Sequence, residues 1–318
     1  MTRVLIACRQ MQDCFDSFSS RFDDLGIEYV LPPVVQQMSE DDLLPVISEF
    51  DGMIAGDDHL SERVLERAER LRIISKWGIG TDSIDLVAAE RHGIRVTNTP
   101  AVFGDDVADV AAGYLVMLAR GLHLIDRSVR EGGWLKPRGI ALAGMALGIF
   151  GLGSIGRSVG RRGQGFGMRL VGFDPDPQSL ALAAEAGIET MQSPKALFEA
   201  ADFLVLCAPA TDETRHVING SSLAQMRDGS FLINVSRGTL VDEEALVEAL
   251  QSGRLAGAAL DVFEHEPLPA TSLLRGFQSC VLGSHNASNT RQGVLRASER
   301  AVENLLRGLA GDGKTEAG

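Results

Sequence analysis

The feature that most restricts how this chain can fold is the segment ALGIFGLGSIGRSVGRRGQGFGMRLVGFDPD, which begins at Ala146. An apolar run of strand character leads into a GxGxxG turn at Gly151, Gly153 and Gly156, and a helix opens behind it. Gly151 permits the tight turn, Gly153 lets the backbone approach a pyrophosphate, and Gly156 lets helix and strand pack closely. The helix N-terminus, with Ser154 and Ile155 beside it, receives the negative charge of the pyrophosphate. Asp174 ends the next strand, LVGFD, 23 residues after Gly151. A carboxylate there accepts hydrogen bonds from the adenosine ribose hydroxyls and repels a 2′-phosphate, and no Arg or Lys directly follows it. These residues predict a dinucleotide site with NAD preferred over NADP.

Short β-branched runs alternate with helical stretches on both sides of this motif. RVLIA (3–7), IEYVL (27–31), GMIAG (52–56), RIISKW (72–77) and IRVTN (94–98) read as strands, separated by amphipathic stretches such as SERVLERAER and SIDLVAAERHG. Residues 105–134 read as one long apolar-periodic helix broken at Gly132-Gly133. A second alternating series follows, with ALGIFG, LVGFD, FLVLC, SFLINVS, GAALDVF and SCVLGS as strands, and NTRQGVLRASERAVENLLRGL closes it as an amphipathic helix. The alternation predicts an α/β fold of two doubly wound parallel-sheet units. The second is read as an insertion in the first: 1–99 with 288–318 as one domain, 100–287 as the dinucleotide-binding domain.

Composition removes several function classes. The 318 residues suffice for two cores, and the net charge of −13 opposes nonspecific binding to nucleic acid or to an anionic membrane. No long uncharged apolar run predicts a membrane span, and the N-terminus lacks the cleavage pattern of a signal peptide. Cys8, Cys14, Cys207 and Cys280 show no CxxC pairing and no disulfide framework, so a cytoplasmic chain without a metal site is expected. The polar tail GDGKTEAG is expected to fray.

Further blocks carry a resemblance. NVSRGTLVDEEAL, ALDVFEHEPLP, GSHNASNT, CAPATDETRHVIN, SKWGIGTDSIDL and VTNTPAVFGDDVADVAAGYLVMLAR are similar to the signature segments of the D-isomer-specific 2-hydroxyacid dehydrogenases, in family order from about residue 70 to 307. The resemblance implies two Rossmann/flavodoxin-like domains with the active site in the cleft between them. It makes Arg237 the substrate arginine, whose planar fork holds a 2-keto carboxylate and polarises the neighbouring carbonyl. It makes His285 the acid–base residue and Glu266, directly before a proline, the carboxylate that stabilises the protonated imidazole. Glu264, two residues earlier, is the nearest competitor for that role. Formate dehydrogenases of this family carry an amide at the Glu266 position, so a carboxylate argues for acid–base chemistry.

The same resemblance gives the loop Gly78, Ile79 and Gly80 to the substrate carboxylate through backbone N–H groups. It places Cys207, Pro209, Thr214, Val235 and Ser236 along the cofactor and Asp261 at its carboxamide. Ser154 stands where the family often has Arg, and Cys207 where it often has His. Within the family the phosphoglycerate dehydrogenases are the nearest likeness, which would place the enzyme in serine biosynthesis, with Arg9 and Lys76 as candidates for a substrate phosphate. Glyoxylate or hydroxypyruvate reduction is the alternative; an NAD-sensing corepressor is the rival from another class, and phosphite oxidation a further one. A homodimer is expected through the 105–131 helix, where Val110, Tyr114, Leu115, Leu118 and Leu122 exceed what one buried face needs.

Overall fold

A computed structural model describes residues 1–311; most of the tail read as frayed lies outside the described residues. The chain divides into two compact units, one of Met1–Phe103 with the segment from Asn289 onward, the other of Gly104–Ser288.

In the first unit, β1 (Arg3–Ile6), β2 (Glu28–Val30), β3 (Gly52–Ala55), β4 (Ile73–Lys76) and β5 (Arg95–Thr97) form a parallel sheet in the order β2-β1-β3-β4-β5. The helix Arg291–Ala310 lies on β3 and β4. Two glycines let it lie close: a Cβ on Gly52 would stand 2.9 Å from Leu305 Cδ1, and one on Gly308 would strike Ile73. Ser75 Oγ donates to the Ala301 carbonyl at 2.8 Å and Trp77 Nε1 to Ser298 Oγ at 3.0 Å, so the buried polar atoms on this helix face are paired. Thr290 caps the helix through the Gly293 N–H, and Gly311 ends it in the left-handed region.

The second unit holds β6 (Ala146–Phe150), β7 (Arg169–Phe173), β8 (Glu189–Thr190), β9 (Phe203–Leu206), β10 (Ser230–Asn234), β11 (Leu255–Leu260) and β12 (Cys280–Leu282). All pairings are parallel, in the order β12-β11-β10-β9-β6-β7-β8. The order reverses between β6 and β9, and ligands of such sheets bind where the strand ends diverge at that point. β6, β9 and β10 are buried along their whole length, which explains their unbroken apolar runs.

The segment read as one helix is two. Gly104–Arg120 stops at Gly121, whose φ of 61° is left-handed, and Leu122–Arg130 departs at 70°. Glycine takes this conformation without a Cβ penalty, so the break falls there and not at Gly132-Gly133. The surplus of apolar residues on this segment is also smaller than its composition implies. Tyr114, Leu115 and Leu118 are buried inside the unit, where the Gly104–Arg120 helix packs on the Ser154–Gly165 helix and on β10, β11 and β12. The apolar groups that remain exposed are Leu122, Val129, Trp134, Leu135 and Ile140. Among the described residues no single helix is long and apolar enough to cross a membrane, and no cluster of His, Cys, Asp and Glu is set to hold a metal ion.

Candidate active site and cofactor cradle

The glycine turn follows β6 at the switch point. Gly151 has φ 96°, and its N–H donates to the Phe173 carbonyl at 2.9 Å. A Cβ on Gly156 would overlap the Gly151 carbonyl, whereas one on Gly153 would meet nothing within 4 Å. The first and third glycines therefore serve the fold of the turn, and the second leaves space above it. Gly153 is the N-cap of Ser154–Gly165 and gives no side-chain cap, so this helix end keeps its positive dipole for an anion. One Asp174 oxygen accepts from the Leu152 N–H at 2.7 Å and the other from Asp176 N–H at 2.9 Å, which fixes the carboxylate at the tip of β7.

Sequence reasoning missed Arg157, whose Nη1 donates to the Leu152 carbonyl at 2.7 Å and ties the turn from its far side. Across the switch point, Cys207 N–H donates to the Phe150 carbonyl at 2.7 Å. Desolvation pushes the Cys207 thiol up to about 12, so it stays protonated as a small apolar group. Thr214 Oγ1 donates to the Pro209 carbonyl at 2.7 Å, Ser236 Oγ donates to the Ala208 carbonyl, and Val235 is buried beside them. Thus the cradle has a space for backbone approach, an uncapped helix end and a fixed carboxylate, which fit a pyrophosphate and a ribose diol.

Arg237 stands just beyond β10. The fully buried Asn234 shapes its turn, donating from Nδ2 to the Arg237 carbonyl at 2.8 Å and accepting the Ser236 N–H at 3.1 Å. Gly238 presses on the next segment so closely that a Cβ would fall on the Phe263 carbonyl carbon.

Glu266 and His285 meet as expected: His285 Nδ1 lies 2.7 Å from Glu266 Oε2, with both side chains about four-fifths buried. The second Glu266 oxygen accepts the Phe263 N–H at 3.0 Å, which sets the carboxylate plane. His285 has φ 53°, a left-handed conformation unusual for a residue with a side chain, and its N–H donates to the Asp261 carbonyl at 2.6 Å.

Asp261 is buried, and its carboxylate accepts from Ala287 N–H at 2.8 Å, Asn286 N–H at 3.2 Å and the Tyr114 hydroxyl at 3.3 Å. Its visible work is therefore to fold the turn that presents His285. Tyr114, read from the sequence as an apolar helix residue, is part of this support. Burial and the Asp261 charge push its hydroxyl up, so it remains a donor.

In the first unit, the Gly78 N–H is taken by Thr99 Oγ1 at 2.9 Å, so of the three N–H groups expected to meet a carboxylate, Gly78's is already engaged. Lys76 is buried, with Nζ 3.1 Å from Asp57 Oδ1 and 3.0 Å from the Trp77 carbonyl, while Arg9 pairs with Asp13 at 2.8 Å.

Residues 112–287 match the family described as "D-isomer specific 2-hydroxyacid dehydrogenase, NAD binding domain". The chain belongs to that family. A glyoxylate reductase of Korarchaeum cryptofilum is 40% identical over 255 residues, 78% of this chain and 76% of the relative. The D-3-phosphoglycerate dehydrogenase of Methanocaldococcus jannaschii is 34% identical over 88% of this chain, which spans 53% of that protein's length. Other relatives at 34–36% identity bear the names glyoxylate reductase, hydroxypyruvate reductase and D-3-phosphoglycerate dehydrogenase, the first most often. Among solved structures, a D-lactate dehydrogenase from Aquifex aeolicus, complexed with NAD and lactic acid, superposes with a TM-score of 0.86 at 25% identity, covering 98% of this chain and 96% of that one. The chain is therefore an NAD-dependent 2-hydroxyacid dehydrogenase whose cofactor domain is the Rossmann unit described above.

Proposed function

We propose that this dehydrogenase interconverts glyoxylate or hydroxypyruvate with its 2-hydroxy acid, using Arg237, Glu266 and His285. When bound in the cradle, the nicotinamide supplies or accepts the hydride at the carbon that carries the hydroxyl. The remaining work belongs to side chains. Arg237 offers a planar fork to the carboxylate and the adjacent carbonyl oxygen. The Glu266 carboxylate accepts from His285 Nδ1, and Nε2 gives a proton to the developing alkoxide, or takes it in the reverse direction. Ile79 and Gly80 provide N–H donors to the substrate carboxylate. Ser154, Ile155, Asp174, Cys207, Pro209, Thr214, Val235 and Ser236 line the cofactor, and Asp261 supports the carboxamide side.

The observation that carries the substrate choice is the state of Lys76. A phosphorylated substrate needs cations free to meet a dianion, yet Lys76 is buried against Asp57 and the Trp77 carbonyl, and Arg9 is paired with Asp13. The names borne by most relatives point the same way, and the reading of 3-phosphoglycerate as substrate becomes the second choice, supported by the two phosphoglycerate dehydrogenases. With NADH, kcat/KM for glyoxylate or hydroxypyruvate is expected to exceed that for 3-phosphohydroxypyruvate by about ten-fold or more, a discrimination of ~1.4 kcal/mol. A preference for the phosphorylated acid would reverse the assignment. Failure to turn over any 2-keto acid while binding NADH would favour an NAD-sensing protein.

The homodimer is proposed through Leu122–Arg130 and the chain after it, a stretch in which Trp134 is 77% exposed and Val129, Leu135 and Ile140 are exposed as well. Sedimentation at micromolar concentration should give about twice the chain mass, and Trp134→Glu with Leu135→Glu should return it to the monomer. A wild-type monomer would sink this part of the proposal.

A further inference from the structure

Glu264 lies two residues before the proposed catalytic glutamate and belongs to none of the roles assigned so far. Both of its oxygens and its backbone N–H are used, and between them they reach two other stretches of chain, at His216 and at Glu243. Oε1 is 2.5 Å from His216 Nε2, Oε2 accepts the Glu243 N–H at 3.5 Å, and the Glu264 N–H donates to Glu243 Oε1 at 2.8 Å. Burial and the neighbouring Glu264 and Glu266 charges push Glu243 up, while the Glu264 N–H bond pulls it down.

Those stretches are the ones that hold the chemistry. His216 closes the segment that starts at Pro209. Its N–H donates to the Thr239 carbonyl at 2.9 Å, and Ile218 bridges Val241. Thr239 and Val241 belong to the turn that begins at Arg237, and Gly238 in that turn is pressed on the Phe263–Glu264 backbone. The Phe263 N–H in turn sets Glu266 Oε1. His216 also holds φ 49°, a left-handed value that a side-chain-bearing residue adopts at a cost and keeps only when its surroundings demand it. Asn219 Nδ2 stabilises that conformation by donating to the His216 carbonyl at 2.8 Å.

We infer that Glu264, tied to His216 and Glu243, is a positioning residue that holds the Glu266 loop in register with the Arg237 turn. This rests on the catalytic reading of Glu266 given above. Glu264 touches no reacting atom. Its effect passes through Glu266, because only three residues of one loop separate Phe263, whose N–H orients that carboxylate, from the proline that follows it.

A double-mutant cycle tests this. Glu264→Ala in the full-length enzyme should lower kcat by about ten-fold, with KM and NADH affinity within about two-fold, since small misplacement of an acid–base pair acts on the chemical step. Glu264→Gln, which keeps an acceptor, should recover most of that loss. In a Glu266→Gln background the same Glu264→Ala change should cost less than about two-fold, because the group through which it acts is already disabled. His216→Asn, which suits the left-handed backbone but cannot reach Glu264, should repeat the pattern and serves if Glu264→Ala does not fold. Unchanged kcat in the folded variants overturns the inference, as does a full ten-fold loss repeated in the Glu266→Gln background. If Glu266→Gln itself keeps wild-type turnover, the catalytic reading falls and this inference falls with it.

Discussion

His285→Ala is expected to lower kcat by about three orders of magnitude, ~4 kcal/mol of transition-state stabilisation, while NADH affinity stays within a few-fold. The split follows from the geometry. The proposed cofactor contacts lie mainly on the Gly151 turn, Asp174 and the residues after β9 and β10, which the imidazole does not hold in place. The imidazole is held by the Asp261 carbonyl, the Asn286 and Ala287 amides on the Asp261 carboxylate, and Glu266 at 2.7 Å, so Asp261 is the one residue that the proposal shares between the two sites. Alanine at φ 53° adds about 1 kcal/mol of backbone strain, so His285→Asn, which tolerates that conformation, is the better control for folding. Steady-state NADH oxidation with the best keto acid, alongside a fluorescence titration of NADH, measures both quantities. Wild-type turnover in either variant would remove His285 from the mechanism.

Most of the fold was legible because its signals are local. Parallel strands buried on both faces must be short unbroken apolar runs, and the glycine motif carries its own strand–turn–helix context. Asp174 was legible for the same reason, since its distance from Gly151 is set by one helix and one strand. The supports of the site were not legible, because they come from contacts between segments far apart in the chain. Nothing local distinguishes Tyr114, 147 residues from Asp261, from the other apolar positions of its helix. Lys76 reads as an available cation after a strand, and only the fold shows Asp57 and the Trp77 carbonyl closing on it. The helix break at Gly121 was missed because an isolated glycine inside a periodic pattern is compatible with an unbroken helix, and the Gly132-Gly133 pair is the louder local signal. The two-residue β8 was missed because a strand that short leaves no periodicity to read.

The glycine turn allows a second large effect to be separated into its parts. Gly156→Ala places a methyl group inside the Gly151 carbonyl, and that atom is backbone, so the turn itself must move. Strain of about 3 kcal/mol is a reasonable scale for such overpacking, and it should lower the melting temperature of the cofactor-free enzyme by roughly 6–10 °C. NADH affinity should fall with it by about 100-fold, because the N–H groups proposed to meet the pyrophosphate are carried on the displaced turn. Gly153→Ala makes the contrasting case. Its Cβ meets no atom within 4 Å, and its φ of −63° suits any residue, so the cofactor-free melting temperature should not change. Its affinity for NADH should still fall by about ten-fold or more, since the methyl group occupies the space that lets a pyrophosphate approach the backbone. Thermal melts with and without NADH separate the two variants. A Gly153→Ala enzyme that binds NADH as tightly as the wild type would show that the pyrophosphate does not lie over this turn, and the placement of Ser154 and Ile155 along it would have to be given up.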